Sequence, residues 1–204
     1  FYTVLYDSNV PVITSAVISG RAKMRINGIT FPARFQFFHE AGTSYRHRIE
    51  LTFWGFPVMK VNEYYNDGSA TLQLPFETIE NKPKVDHGAN LALWGEAIWF
   101  PSIFLSDQRV QWKSVNDETA ILSVPFREEQ QQIVVRFDPA SGMPRYLEAM
   151  RYKQAEDARK TLWIIETTNW TTVNNHTVCS TAAISWFDEG DPWAVFQVEE
   201  IAYN

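Results

Sequence analysis

The 204 residues carry 24 acidic and 18 basic side chains, a net charge of −6. That balance excludes a nucleic-acid surface, which needs clustered Lys and Arg to displace counterions, so no nucleic-acid partner is expected. An apolar fraction of 45%, with eight Trp, eight Tyr and fourteen Phe, is that of a packed chain long enough for one core, and a single domain over residues 1–204 is expected. The only cysteine, Cys179, excludes an internal disulfide and any cysteine-based metal cluster. Its alternating apolar context, VCSTAAISW, marks a buried, inert thiol. The sequence has no membrane-spanning apolar run and no signal peptide. It starts at Phe1 rather than Met, and removal of an N-terminal anchor or export signal is the expectation.

In chain order, residues 14–26 and 29–38 read as strands joined by Asn27-Gly28, a strong hairpin signal. Ile29, Phe31, Ala33, Phe35 and Phe37 share one face of the second strand. After a turn at Glu40-Ala41-Gly42, Tyr45, His47, Ile49, Leu51 and Phe53 alternate with Arg46, Arg48, Glu50 and Thr52. That is a half-buried strand with one wet face. Residues 58–65 and 70–74 follow as strands around Asn66-Asp67-Gly68. Residues 75–88 are polar and irregular, punctuated by Pro83 and Asp86.

Gly88 to Ser106, GANLALWGEAIWFPSIFLS, is apolar nearly all round. A helix is predicted from about Asn90 to Phe100, with Pro101 kinking it or opening a short turn through Leu105. Such a helix must be covered on most sides. The second half returns to strands at 109–115, 119–126, 132–137, 143–153, 161–172, 177–187 and 193–203, with Asn174-Asn175 linking two of the last three. Many short strands interrupted by one helix predict a mainly β (α+β) fold: a single curved antiparallel sheet, a half-barrel, wrapped around one central apolar helix.

Chemical signatures are sparse. Walker, dinucleotide-binding, HExxH, CxxC and GxSxG motifs do not occur, and no cofactor and no catalytic residue is assigned. His47 falls on the apolar face of its strand and reads as a core or cavity histidine. His39 and His47 approach across a hairpin without an evident third ligand, so no metal site is expected. Glu96 is the one charge in the apolar helix. Its desolvation calls for a partner, for which Arg46, Arg48 and Arg109 are the candidates; a ligand head group or acid–base chemistry are the other uses.

Gly95-Glu96-Ala-Ile-Trp99-Phe100-Pro101 resembles the G-E-x-x-W-F-P element of a bacterial family of unknown function related to the LolA and LppX-like lipoprotein carriers. Glu63-Tyr-Tyr-Asn-Asp-Gly68, Val110-Gln-Trp112 with Asp117-Glu-Thr-Ala120, and Ser185-Trp186 through Asp191-Pro-Trp193 to Glu200-Ile-Ala-Tyr203 are similar to its other elements in the same order. The resemblance implies a LolA-like half-barrel with an apolar cavity between strands and helix, outside the cytoplasm, in the periplasm or anchored to a membrane. It departs in one respect: there is no lipobox cysteine.

The resulting reading is a non-enzymatic, extracytoplasmic binding or carrier protein for a hydrophobic small molecule, lipid or acyl chain. Its ligand-binding set is Trp94, Glu96, Trp99, Phe100 and Phe104, faced by Phe35, Phe37 and Trp112, with Arg46 or Arg48 at the head group. Membrane association through the removed N-terminal segment and an envelope partner of unknown identity belong to the same reading. The alternatives are an enzyme with Glu96 as acid or base in a sheltered pocket, favoured by a polar pocket with His47 or Glu63, and a structural module of an envelope complex without a ligand.

Overall fold

Asn27 and Gly28 both take positive φ, 50° and 80°, as a two-residue turn between twisted strands requires. They join β1 (Ser15–Ile26) to β2 (Ile29–Glu40), paired from Ile26 opposite Ile29 to Ser15 opposite Glu40. The computed structural model describes residues 10–173 and 176–204. The meander continues through β3 (Ser44–Phe53), β4 (Phe56–Asn66), β5 (Ser69–Gln73) and β6 (Thr78–Glu80). A helical segment follows: α1 (Pro83–Gly95), a 3-10 turn (Glu96–Trp99) and α2 (Ile103–Ser106). The second meander is β7 (Gln111–Asn116), β8 (Thr119–Phe126), β9 (Glu129–Phe137), β10 (Pro144–Arg151), β11 (Thr161–Val173), β12 (His176–Trp186) and β13 (Ala194–Tyr203). The link expected at Asn174-Asn175 lies outside the described residues.

All the strands join one antiparallel sheet in the order β6-β5-β4-β3-β2-β1-β13-β12-β11-β10-β9-β8-β7. Pairing of β1 with β13 fuses the two meanders, so β6 and β7 become the edges and the helical segment connects one edge to the other. A flat sheet of this width would hold its edges ~58 Å apart, from twelve spacings of ~4.8 Å. A 13-residue helix spans only ~20 Å. The helix alone is too short to reach across a flat sheet, yet it contacts both arms, so the sheet is curved.

Hydrogen bonds bring the two arms together. Asn90 on α1 accepts from the Tyr65 hydroxyl of β4 at 2.6 Å and donates to the Pro125 carbonyl of β8 at 2.9 Å and to Gln131 Oε1 of β9 at 2.8 Å. Asp86 accepts from the Ala70 amide at 2.8 Å and from Arg127 at 2.8 Å, and the same guanidinium donates to the Gly68 carbonyl at 2.7 Å. At the other end Arg109 reaches the Gly42 carbonyl at 3.0 Å. The fold is thus mainly β: an open, curved antiparallel sheet with a short helical segment packed on one face.

The helix differs from the sequence expectation at both ends. It starts at Pro83, inside the stretch read as irregular, because proline's fixed φ and missing N–H suit a first helical position as well as a turn. It stops at Gly95, and residues 96–99 tighten into the 3-10 turn. Phe100, with φ −144° and ψ 61°, leaves helical geometry, as the residue before a proline is biased to do. Glu96 therefore sits at a helix junction rather than in mid-helix. Every residue from Gly88 to Gly95 is buried, as a helix apolar all round requires.

Gly95 sets how closely α1 approaches the sheet. A Cβ there would stand 2.6 Å from Ile165 Cδ1 and 2.9 Å from the Trp163 ring. Gly95→Val is expected to destabilise the fold by ~1–3 kcal/mol through overpacking, read from the urea midpoint. An unchanged midpoint would mean that α1 can stand off β11 without loss.

Candidate functional site

Strand alternation sends Phe35, Phe37 and His39 of β2, and Tyr45 and His47 of β3, to the same buried face. In the register of this hairpin Phe37 stands opposite His47 and His39 opposite Tyr45, which makes the two histidines diagonal neighbours. On β4, Glu63 stands opposite His47. The helix junction then delivers Glu96 to the same place. Glu96 Oε2 lies 2.7 Å from His47 Nε2 and 3.1 Å from His39 Nε2. Behind His47, Glu63 Oε2 is 3.9 Å from Nδ1, and Glu63 Oε1 accepts from the Tyr45 hydroxyl at 2.7 Å. The His47 ring is stacked between Tyr45 (3.9 Å between centroids, 7° between planes) and Phe37 (3.9 Å, 30°). Phe100 closes over His39 at 5.2 Å.

Electrostatics divide the two histidines. Burial disfavours the charged form of both. For His47 the Glu96 charge and the contacts with Glu63 and Glu96 outweigh burial and push its pKa up to about 9. For His39 burial wins over Glu96 and the pKa falls. Burial would raise Glu96, but the His47 charge and the contacts with both imidazoles bring it down to about 2. Glu63 is lowered in the same way, its burial outweighed by His47, Tyr45 and Arg151. The Tyr45 hydroxyl, buried beside Glu63 and Glu96, is pushed well above its ordinary value.

The partners of Glu96 correct the sequence expectation of a strand arginine. Arg46 and Arg48 alternate out of the buried face, where they lie over the rings of Tyr64 and Phe38 at 5.5 and 5.6 Å. Arg109 is held by Asp107 at 2.6 Å. Two histidines occupy the place assigned to a guanidinium.

The aromatic residues singled out in the sequence fall into separate groups. Phe35, Phe37 and Trp99 meet around Phe196, with Trp99 at 6.2 Å from Phe35 and 5.8 Å from Phe37. Phe104 packs edge-on against Trp112 at 6.3 Å, and its carbonyl accepts from the Trp112 indole at 2.9 Å. Trp94 lies under the Arg109 guanidinium. All of these except the half-buried Trp112 are buried, and the indole N–H groups of Trp94, Trp99 and Trp163 have no hydrogen-bond partner among the described residues. Arg46 and Arg48 are not brought to any of these groups. Cys179 is buried, and burial pushes its thiol up to about 12, as expected of an inert cysteine.

The ligand-binding set drawn from the sequence omits His39, His47, Glu63 and Tyr45; His47 and Glu63 enter there only as companions of Glu96 in the enzyme alternative, and His39 only as a neighbour of His47. The hairpin register and the alternation of residues 37, 39, 45 and 47 carry the signal for the histidine pair; only the helix junction supplies Glu96 to it.

A profile of the family of unknown function DUF6544 matches residues 1–198. The chain belongs to DUF6544. No curated protein matches this DUF6544 chain, but solved structures share its fold. It is similar to a LolA superfamily protein from Nitrosomonas europaea (TM-score 0.54, 10% identity, 99% of this chain and 92% of that one). A DUF1329 family protein from Desulfovibrio piger gives 0.54 at 9% identity, covering 96% and 88%. A domain from Vibrio parahaemolyticus described as outer membrane lipoprotein-sorting gives 0.52 at 10% identity, covering 93% and 85%. At these identities the likeness concerns the fold alone, which this DUF6544 chain shares with the LolA superfamily protein and the two other structures.

Proposed function

We propose that the chain is an extracytoplasmic binding or carrier protein for a hydrophobic ligand, a lipid or acyl chain taken up between the curved sheet and the helical segment. The observation that carries this reading is the set of buried aromatic groups at that interface, where the indole N–H groups of Trp94, Trp99 and Trp163 have no acceptor among the described residues. A buried donor without a partner is costly. A carboxyl or ester oxygen at the end of an acyl chain supplies the acceptor, and the aromatic rings supply the apolar wall. In this reading the sheet is a half-barrel, the helical segment is its central plug, and Trp94, Glu96, Trp99, Phe100 and Phe104 with Phe35, Phe37 and Trp112 form the binding face. The LolA superfamily and lipoprotein-sorting descriptions of two fold neighbours support the carrier class and a periplasmic setting.

An exposed apolar tip supports exchange at a lipid surface. Trp54 is 87% exposed at the β3–β4 turn, beside the exposed Phe53, Phe56 and Val58. A cluster of this kind is what a chain that meets lipid presents. The test is native mass spectrometry of protein purified without detergent, together with displacement of a fluorescent fatty acid. A bound acyl species and saturable displacement are expected. Absence of both sinks the reading.

One observation favours an enzyme instead. A cleft of about 580 Å³ between β5–β6, the start of α1 and residues 151–156 is lined by Glu63, which stands beside His47 and, through it, Glu96. An acid–base site would use that chain of groups. Unaltered acyl-chain affinity in Glu63→Gln would separate this cleft from the binding face.

A further inference from the structure

We propose that His39, His47 and Glu96 form a binding site for one divalent transition-metal ion of the zinc class, a site that shares Glu96 with the proposed binding face but does not rest on the carrier reading. The three side chains come from β2, β3 and the 3-10 turn, and their donor atoms all lie within 4.8 Å of one another. The two Nε2 atoms approach the same carboxylate oxygen at 2.7 and 3.1 Å. Yet none of the three atoms has an aligned hydrogen-bond partner among the described residues. In a hydrogen bond the donor N–H points along the line to its acceptor; the three close atoms do not meet that alignment, and they lie together within reach of a single ion. Around a tetrahedral zinc ion with ligand distances of ~2.0–2.1 Å, neighbouring ligand atoms stand ~3.3 Å apart. The two Glu96 edges, 2.7 and 3.1 Å, are close to that spacing.

The surroundings are those of a supported ligand set. A metal-binding histidine commonly faces a carboxylate with its other ring nitrogen. His47 Nδ1 faces Glu63 Oε2 at 3.9 Å, and Tyr45 anchors that carboxylate from the other side. Stacking between Tyr45 and Phe37 fixes the plane of the His47 ring. Charge points the same way: two carboxylates, Glu63 and Glu96, meet at a largely desolvated place, with side-chain exposures of 24% and 12%. A divalent cation offsets both.

The donor set selects the ion class. Two imidazoles and one carboxylate suit zinc, cobalt, nickel or ferrous iron; magnesium and calcium prefer all-oxygen shells, and cuprous copper prefers sulfur. Three protein ligands leave a coordination position open.

The test strips the full chain with a chelator and titrates it with Zn²⁺, and separately with Co²⁺ as a spectroscopic probe. One equivalent per chain is expected, with a cobalt visible spectrum of low coordination number. Nitrogen-15 NMR of the wild-type chain should show metal-induced shifts at Nε2 of His39 and His47 and none at His87 or His176. Glu63→Gln should weaken Zn²⁺ by ~10–100-fold, as loss of a carboxylate behind a ligand does, and His39→Gln with His47→Gln should abolish the site. Failure of wild-type protein to bind either ion overturns the proposal. So does undiminished binding in the double variant, or NMR shifts confined to His87 or His176. The wild-type spectra decide the question even where a variant does not fold.

Discussion

Trp99→Ala is expected to cost the fold ~3–5 kcal/mol, the range for deleting a fully buried large aromatic side chain. Trp99 is 2% exposed, stacked on Phe35 and packed on Phe37 and Phe196, and its carbonyl accepts from the Tyr203 hydroxyl of β13 at 2.6 Å. The ring thus joins the helical segment to strands on both sides of the β1–β13 seam. The measurement is urea unfolding followed by circular dichroism. A second readout distinguishes a core from a ligand face. The vacated apolar volume should take up a small apolar molecule, seen as a rise in melting temperature with an indole or benzene probe. A loss below ~1 kcal/mol would show that the ring is not part of the packed core.

Glu96→Ala is expected to cost a similar ~3–5 kcal/mol in chelator-treated protein, because it leaves an imidazolium desolvated between aromatic rings. The loss should depend on pH in a defined window. His47 has a folded pKa raised to about 9 from 6.5, so its contribution is fully present below 6.5 and disappears as pH rises through 9. Glu96 has a folded pKa lowered to about 2 from 4.5, so its contribution is present above 4.5 and disappears as pH falls through 2. The two windows overlap between pH 4.5 and 6.5, where the difference between wild type and variant should peak. The groups that face His47 are Glu96, Glu63, His39 and Tyr45, with Arg151 acting on Glu63. Unfolding series from pH 3 to 9 test this. A difference of constant size across the series would show that the pair contributes packing only.

Much of the sheet is legible in the chain. Alternation in residues 29–38 and 45–53, and the Asn27-Gly28 and Asp67-Gly68 turns, place the early strands within a residue or two of their observed ends, since period-two burial and positive-φ turns are local properties. The start of α1 is less legible. Pro83 serves equally as a turn residue and as a first helical residue, and only the contacts of Asp86 and Asn90 with both arms of the sheet decide between them. Residues 101–105 follow the same rule: the proline signals a break, while the packing of Phe104 on Trp112 sets the short α2.

Glu96 marks the boundary between the two kinds of information. Its solitary charge in an apolar run announces, from composition alone, that a partner must exist, because an ionised carboxylate out of water demands one. The sequence by itself determined the antiparallel strands, the buried helical stretch and the G-E-x-x-W-F-P element that points to the family. Which groups answer the carboxylate was decided by tertiary structure. The arginines of β3 alternate outward, the histidines of β2 and β3 alternate inward, and the packing of the helical segment on the curved sheet carries the helix junction onto them.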